Sequence, residues 1–200
     1  MKCLWIRHGE TEMNRQARYL GHTDVGLHEN GREQIAVLAD QLRSVELNPT
    51  RIYASDLLRC VQTAELLTPR FPCSVQTTPA LRELSFGEWE LLTYEEIVQK
   101  NEELVRKWHD DPLLVSPPGG ESLQQLGERV DVWLQEMLEK HAGEKEATLV
   151  IVTHGGVIRW FQSAWLAQDK SHYWQVEGLR HGTAMLTEWD GQRWTQQPLY

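Results

Sequence analysis

The sequence predicts an α/β layer fold built on a largely parallel sheet, and three observations predict it. Two apolar runs that read as strands, "CLWIRH" and "ATLVIVTHGG", lie near the start and late in the chain. Extended segments alternate with segments whose apolar residues recur three and four apart, the pattern of strands interleaved with helices. Both apolar runs also end alike, in Arg7-His8-Gly9 and in Thr153-His154-Gly155-Gly156.

Neighbouring side chains of a continuing strand point to opposite faces. Arg7 and His8 can therefore serve one site only if the first strand stops there and the chain bends at Gly9. Residues 29–45 read as a helix, with Ile35, Leu38, Ala39 and Leu42 on one stripe and Pro49 beyond its end. Residues 51–55 are a short strand, and Ser55 is placed to cap a helix over 56–67 that stops before Pro69. Residues 73–84 look extended and are broken at Pro79. Residues 86–100 pass from loop into helix, with Thr93 and Glu96 at capping-box spacing. Residues 110–122 are the most loop-like stretch. Ser122 and Gln125 then form a second capping box, and Leu123, Leu126, Val130, Trp133, Leu134, Met137 and Leu138 make one apolar face of the helix that follows. The run 147–156 is apolar almost throughout, as in a strand buried on both faces. A helix follows over 157–167, and 183–197 reads as a closing hairpin around Asp190-Gly191. No repeat, low-complexity tract or linker divides the chain, so residues 1–200 are expected to form one domain.

A chain of 200 residues can bury a sizeable core. Its formal net charge of −9 argues against a general polyanion-binding surface, so no nucleic-acid partner is expected and any phosphate must be met by a local positive cluster. The nine tryptophans lack the interleaved basic residues of a base-stacking surface and read as core or pocket wall. Cys3, Cys60 and Cys73 make neither a CxxC pair nor a disulfide framework. The N-terminal apolar run is short for a signal peptide, and no stretch approaches a membrane span. These features predict a cytoplasmic protein without a membrane partner, monomeric or homodimeric, with exposed tryptophans near the C-terminus as candidate dimer contacts.

In open α/β sheets ligands sit beyond the carboxyl ends of the strands, which puts His8 and His154 on one edge. Arg7 offers a fixed fork of donors suited to phosphate oxygens. A neutral His8 offers a nucleophilic nitrogen, and His154 can donate to a phosphoryl oxygen. Arg59, early in its helix, can bring a second guanidinium to the same edge. Gly155 and Gly156 allow close backbone approach and open a helix whose free N–H groups favour an anion. Glu83, in "LRELSFGEW", is the candidate acid among the nearby carboxylates Glu10, Glu88 and Glu90. A carboxyl beside a phosphate dianion is discouraged from ionising, so it can protonate a leaving oxygen and later accept a proton from water. His22 and His28 are too loosely spaced for a joint metal site, and His22 reads as loop surface with the pocket rim as its alternative. His109, His141 and His172 read as surface, and Glu102, Glu103, Asp110 and Asp111 as a solvated face. Trp5 and Trp133 read as buried. Trp89 and Trp108 read as ordinary packing within the segment 86–120 that would roof the pocket.

Taken together, "LWIRHGETEMN", "SDLLRCVQTA", "LRELSFGEWE", "PGGESLQQLGERV" and "VIVTHGG" resemble the histidine phosphatase superfamily, the phosphoglycerate mutase-like group, in order over nearly the whole chain. The resemblance implies a three-layer α/β/α fold with a mostly parallel six-stranded sheet, and a phosphohistidine intermediate. By position, the nucleophile falls on His8, the phosphate clamp on Arg7, Arg59 and His154, and the acid/base on Glu83. Asn14 matches an additional phosphate-contacting amide, and Thr11 and Gly21 fall near the substrate mouth, while Gly155 remains a substrate-binding candidate by its place at the helix opening. The compact interval between Glu83 and His154 resembles the small phosphatase branch, which includes α-ribazole-5′-phosphate phosphatases and broad-specificity phosphatases. His181, in "LRHGTAML", stands where relatives often differ and receives no role. The implied activity is a metal-independent, cofactor-free phosphomonoesterase acting on a small phosphorylated metabolite, with a cofactor-dependent phosphoglycerate mutase as the alternative. A metallohydrolase is opposed by the absence of an HExxH-type spacing and by two arginines that would repel a cation. An inactive phospho-ligand-binding module is opposed by the presence of both nucleophile and acid.

Overall fold

In the computed structural model, which describes residues 1–144 and 146–199, the chain runs β1 (Lys2–Arg7), α1 (Glu12–Arg15), α2 (Glu29–Gln41), β2 (Pro49–Ser55), α3 (Leu58–Leu67), β3 (Val75–Thr78), α4 (Tyr94–Asp110), α5 (Leu123–Lys140), β4 (Thr148–Thr153), α6 (Gly155–Trp160), β5 (Ala184–Trp189) and β6 (Trp194–Gln197). The strands form one six-stranded sheet in the order β3-β2-β4-β1-β5-β6. β1 and β4 pair in parallel, with Arg7 beside Thr153. β4 with β2 and β2 with β3 are also parallel, whereas β5 runs antiparallel to both β1 and β6. The sheet is therefore mixed: the expected parallel arrangement holds over β3-β2-β4-β1, and the antiparallel β5 departs from it. The physical reason lies in the return of the chain after α6. Residues 167–183 climb back to the carboxyl end of β1, where the Gly182 N–H donates to the Arg7 carbonyl at 3.1 Å, so β5 can only run downward from there.

Every residue of β4 is buried, and its side chains alternate between two apolar clusters. Leu149 and Ile151 join Cys3, Trp5 and Tyr53 on one face, with Trp133 and Leu134 of α5 and Trp160 of α6. Val150 and Val152 join Leu4, Ile6 and Ile52 on the other, with Ile35 and Leu38 of α2 and Ala64 and Leu67 of α3. This is the pattern the apolar run of β4 predicts. Both expected capping boxes form, Thr93 with Glu96 and Ser122 with Gln125.

Local details beyond these expectations appear at Ser55, in α4, at His28 and at His141. Ser55 ends β2 instead of capping α3. The α3 N-cap position is Leu57, and the Leu58 N–H is taken by the Asp24 carboxylate at 2.7 Å. α4 continues past residue 100 to Asp110 through a non-helical Asn101 (φ −161°, ψ 79°). The Asn101 Oδ1 accepts from the Leu104 N–H at 3.0 Å, so the helix is re-capped after the break. His28 is the N-cap of α2, its Nδ1 accepting from the Asn30 N–H. His141, expected at the surface, is buried and bonded to the Tyr53 hydroxyl at 3.0 Å. Trp5, Trp89, Trp108 and Trp133 are buried as expected; Trp174 is half exposed, but Trp194 is buried. Among the described residues no helix is long and apolar enough to cross a membrane.

Where α5 meets α6, Gly127 lies against the Trp160 indole, and a Cβ there would overlap the ring. The ring cannot easily slide away, because its Nε1 donates to Asp131 at 2.8 Å. Gly127→Ala is expected to destabilise the protein by about 1–3 kcal/mol through overpacking, read as a lower urea midpoint. An unchanged midpoint would show that the two helices can part without cost.

Candidate active site

The parallel register of β1 and β4 builds the centre of the site. Arg7 and Thr153 are partners, so the next residues, His8 and His154, leave adjacent strands at the same edge. The His8 N–H still donates to the Thr153 carbonyl at 3.0 Å, and the two imidazole centroids are 5.0 Å apart. The bend at Gly9 is tight enough that a Cβ there would overlap the Gly31 carbonyl.

His8 Nδ1 lies 2.7 Å from the Gly9 carbonyl oxygen. A carbonyl only accepts, so Nδ1 carries the proton and Nε2 keeps its lone pair. Burial, then the Arg59 guanidinium, hold the His8 imidazole well below the usual histidine range. His154, wholly buried, is likewise held well below that range by burial and then by Arg59. Its Nδ1 accepts from Arg59 Nε at 3.3 Å, which leaves the proton on Nε2, 2.9 Å from Ser55 Oγ. In this geometry His154 holds Arg59 and has no donor left over for a phosphoryl oxygen. Its Nε2 also lies 3.3 Å from Cys60 Sγ.

Arg59 is fully buried at the first turn of α3. Its other donors meet the Gly21 carbonyl at 2.6 Å and the Thr23 carbonyl at 3.0 Å. Arg7 donates through Nη1 to the Leu179 carbonyl at 2.7 Å. Its Nε is buried with no hydrogen-bond partner among the described residues, and an anion is the kind of group that would satisfy such a donor. Gly155 makes room for this guanidinium, since a Cβ there would stand 3.1 Å from its central carbon. Glu83 completes the group. Its Oε1 accepts from the N–H groups of Leu84 at 2.8 Å and Gly156 at 3.0 Å, and its Oε2 from Gly156 at 3.1 Å. Its main-chain carbonyl accepts from Arg129 at 2.8 Å and from His22 Nε2 at 3.0 Å.

The structure thus brings His8, His154, Arg7, Arg59 and Glu83 to one edge. The outer candidates do other things. Thr11 is the N-cap of α1, and its hydroxyl is engaged by Asn14, as donor to Oδ1 and as acceptor from the N–H. Thr11 thus spends its only hydroxyl donor on the cap of α1. Asn14 spends its Oδ1 on the same box, which leaves its amide nitrogen as the end able to meet a ligand. Gly21 contributes its carbonyl to Arg59, and its own Cβ position is filled by Glu90, Leu84 and Phe86. Gly156 spends its N–H on Glu83, so that helix-opening donor is not free for an anion. His22 belongs to the rim after all, near Glu83 and 3.8 Å from Glu121. Sequence reasoning also missed Ser55, Arg129 and His181. Arg129 binds Glu121, and Glu121 in turn accepts from the Ser85 N–H, so the pair braces the Glu83 segment. His181 stands 5.0 Å from His8, centroid to centroid. Burial, then Arg7, push its imidazole down to about 4. A cavity of about 470 Å³ opens beside it, lined by Arg7, Glu10, Gln34, Arg180, His181 and Thr183. Among the described residues no three His, Cys, Asp or Glu side chains group to hold a metal ion.

Two guanidiniums around neutral imidazoles, with one carboxyl facing them, have the chemistry that suits a phosphate-handling enzyme centre. Residues 3–199 match the family model described as "Histidine phosphatase superfamily (branch 1)", and the chain belongs to that superfamily. It is 34% identical over 194 residues to phosphoglycerate mutase-like protein 4 of Arabidopsis thaliana, covering 96% of this chain and 81% of that protein. It is 33% identical over 174 residues to phosphoserine phosphatase 1 of Hydrogenobacter thermophilus, covering 87% and 80%. The crystal structure of the α-ribazole phosphatase from Shigella flexneri superposes with a TM-score of 0.86 at 26% identity, covering 100% of this chain and 96% of that one. The chain is accordingly a phosphatase of this superfamily.

The buried imidazoles make the fold sensitive to acid. Folded, His8, His154 and His181 resist protonation, whereas unfolded each takes up a proton near the ordinary 6.5. Falling pH therefore favours the unfolded chain. Their contribution is complete above about pH 6.5 and is lost as pH falls below it, for His181 down to about 4. Between about pH 7.5 and about pH 5.5 the three histidines should together lower the stability of the fold. Urea titrations at the two pH values check this; equal stability would mean that the histidines take up protons as readily in the fold as in the unfolded chain.

Proposed function

We propose that this phosphatase is a metal-independent phosphomonoesterase that works through a phosphohistidine on His8 and acts on small phosphorylated metabolites. The observation that carries the reading is the bond from His8 Nδ1 to the Gly9 carbonyl. It leaves Nε2 unprotonated at neutral pH inside a pocket that already holds two cations. In the first step Nε2 attacks phosphorus, the N–P bond forms, and the bond to the ester oxygen breaks. Glu83 gives its proton to that oxygen, and the alcohol leaves. In the second step water attacks phosphorus opposite Nε2, Glu83 takes the water's proton, the N–P bond breaks and phosphate departs. Dividing the displacement in two lowers each barrier. Arg7 and Arg59 stabilise charge on the equatorial oxygens as it shifts. His154 contributes by fixing Arg59, and the Asn14 amide nitrogen supplies a further contact.

The substrate is read as a class. α-Ribazole-5′-phosphate, phosphoserine and glucosyl-3-phosphoglycerate are ester types suggested by the names of relatives. A mutase that returns the phosphoryl group to a second hydroxyl is the alternative, suggested by the name of the Arabidopsis relative. The reading takes residues 1–200 as one three-layer domain, monomeric or homodimeric, which the two core clusters on opposite sheet faces support. It also takes a cytoplasmic setting, which suits the three free thiols Cys3, Cys60 and Cys73.

His8→Ala should abolish both turnover and covalent labelling by a ³²P-phosphorylated substrate; equal labelling of variant and parent would refute the nucleophile. Glu83→Gln should lower kcat by about 10²–10⁴-fold for alkyl phosphates and by much less for p-nitrophenyl phosphate, whose leaving oxygen needs little protonation. The same loss on both substrates would remove Glu83 as the acid.

A further inference from the structure

The turn Leu179-Arg180-His181-Gly182 takes no part in the two steps above, yet it closes on the Arg7-His8 dipeptide at three points. The Leu179 carbonyl accepts from Arg7 Nη1 at 2.7 Å. The Gly182 N–H is shared by the carbonyls of Arg7 at 3.1 Å and His8 at 3.2 Å. His181 Nδ1 stands 3.2 Å from the same His8 carbonyl, so Nδ1 must carry a proton. The turn is tightly seated, because Gly182 has φ +66° and a Cβ there would stand 2.6 Å from Gln34 Cβ. On the other side His8 N–H is held by Thr153 at 3.0 Å and Gly9 N–H by Thr63 Oγ1 at 3.2 Å. The backbone of His8 is thus gripped from both sides.

We propose that His181 is a positioning residue for the nucleophile: its Nδ1–H on the His8 carbonyl aims His8 Nε2 at phosphorus. The position demands a short, rigid donor without charge. A lysine or arginine there would set a third cation beside His8, where two guanidiniums already stand. Burial next to Arg7 keeps the imidazole of His181 neutral and so fit for the task. Asparagine carries a comparable uncharged donor; phenylalanine carries the ring and no donor. Small misplacements of a reacting atom are costly, of order 10²-fold per ångström.

The inference rests on His8 as nucleophile, and the test separates the two. Steady-state and burst kinetics with p-nitrophenyl phosphate are measured for His181→Ala, His181→Phe, His181→Asn and His8→Ala, with thermal midpoints alongside. His181→Ala and His181→Phe should lower kcat and the burst rate about 10- to 100-fold with KM changed less than about threefold. His181→Asn should stay within about threefold of the parent in both. A fully active His181→Phe, or a His181→Asn as impaired as His181→Phe, overturns the donor role. A raised KM with unchanged kcat overturns positioning in favour of a substrate contact in the adjoining cavity. Should His181→Ala fail to fold, the Phe and Asn pair decides. Turnover by His8→Ala defeats the phosphohistidine reading itself, whereas a dead His8→Ala beside a fully active His181→Phe defeats only the clamp.

Discussion

A guanidinium with no access to water needs acceptors for its N–H groups, because an unmatched buried charge costs several kcal/mol. Arg59 is in that position, and the three acceptors it finds each constrain another part of the site. Two are the carbonyls of Gly21 and Thr23, so the loop carrying them must lie against α3. That loop is fastened in turn by the Glu90 carboxylate, which accepts from the N–H groups of His22 at 2.8 Å and Thr23 at 2.6 Å, and from the Thr23 hydroxyl. The third acceptor is His154 Nδ1. To accept there, His154 must carry its proton on Nε2, and Ser55 at the end of β2 receives it. One buried cation therefore settles a loop path, an imidazole tautomer and the task of a strand-end serine.

Attracting an anion and attacking it make opposite demands on a histidine. A protonated imidazole draws phosphate but has no lone pair to give. The site separates the two demands. The arginines supply charge that persists at any working pH, while burial and those same cations keep His8 and His154 neutral. This also reconciles the overall charge of −9 with a phosphate-binding reading. The two guanidiniums are gathered at one strand edge, where Arg7 and Arg59 stand with His8 and His154.

What was legible in the sequence had short-range causes. The β4 run announced a doubly buried strand, the two capping boxes marked the starts of α4 and α5, and the paired His-Gly strand ends located the edge that carries the site. What was hidden depends on residues far apart in the chain. Ser55 looked like a cap because it precedes a helix, but its partner is His154, 99 residues on, and α3 is capped instead by Asp24 from a distant loop. His141 looked exposed because nothing nearby buries it; Tyr53 does so from β2. His181 has no local signal, since its partner is the His8 carbonyl across the sheet. The antiparallel placement of β5 was half visible, because a hairpin was expected there, but which strand it would join is settled only by the return of residues 167–183. The Asn101 break in α4 had a local cause that was available and missed, an asparagine able to re-cap the helix two turns in.

The His154-Gly155-Gly156 tripeptide explains how a carboxyl some 70 residues upstream comes into line with the clamp. His154 holds Arg59, Gly155 leaves room for Arg7, and the Gly156 N–H binds Glu83. Three groups from three distant segments are thus referred to one short stretch of backbone at the end of β4. Glu83 is asymmetric in that grip. Its Oε1 already accepts two N–H groups, while Oε2 shares only the Gly156 donor. In the proposed reaction the proton must then ride on Oε2, the oxygen with a lone pair to spare, and Oε1 anchors the carboxyl while it is given up and regained. The backbone carbonyl of the same residue is tied to Arg129 and His22, so the carboxyl can change its protonation without changing its place.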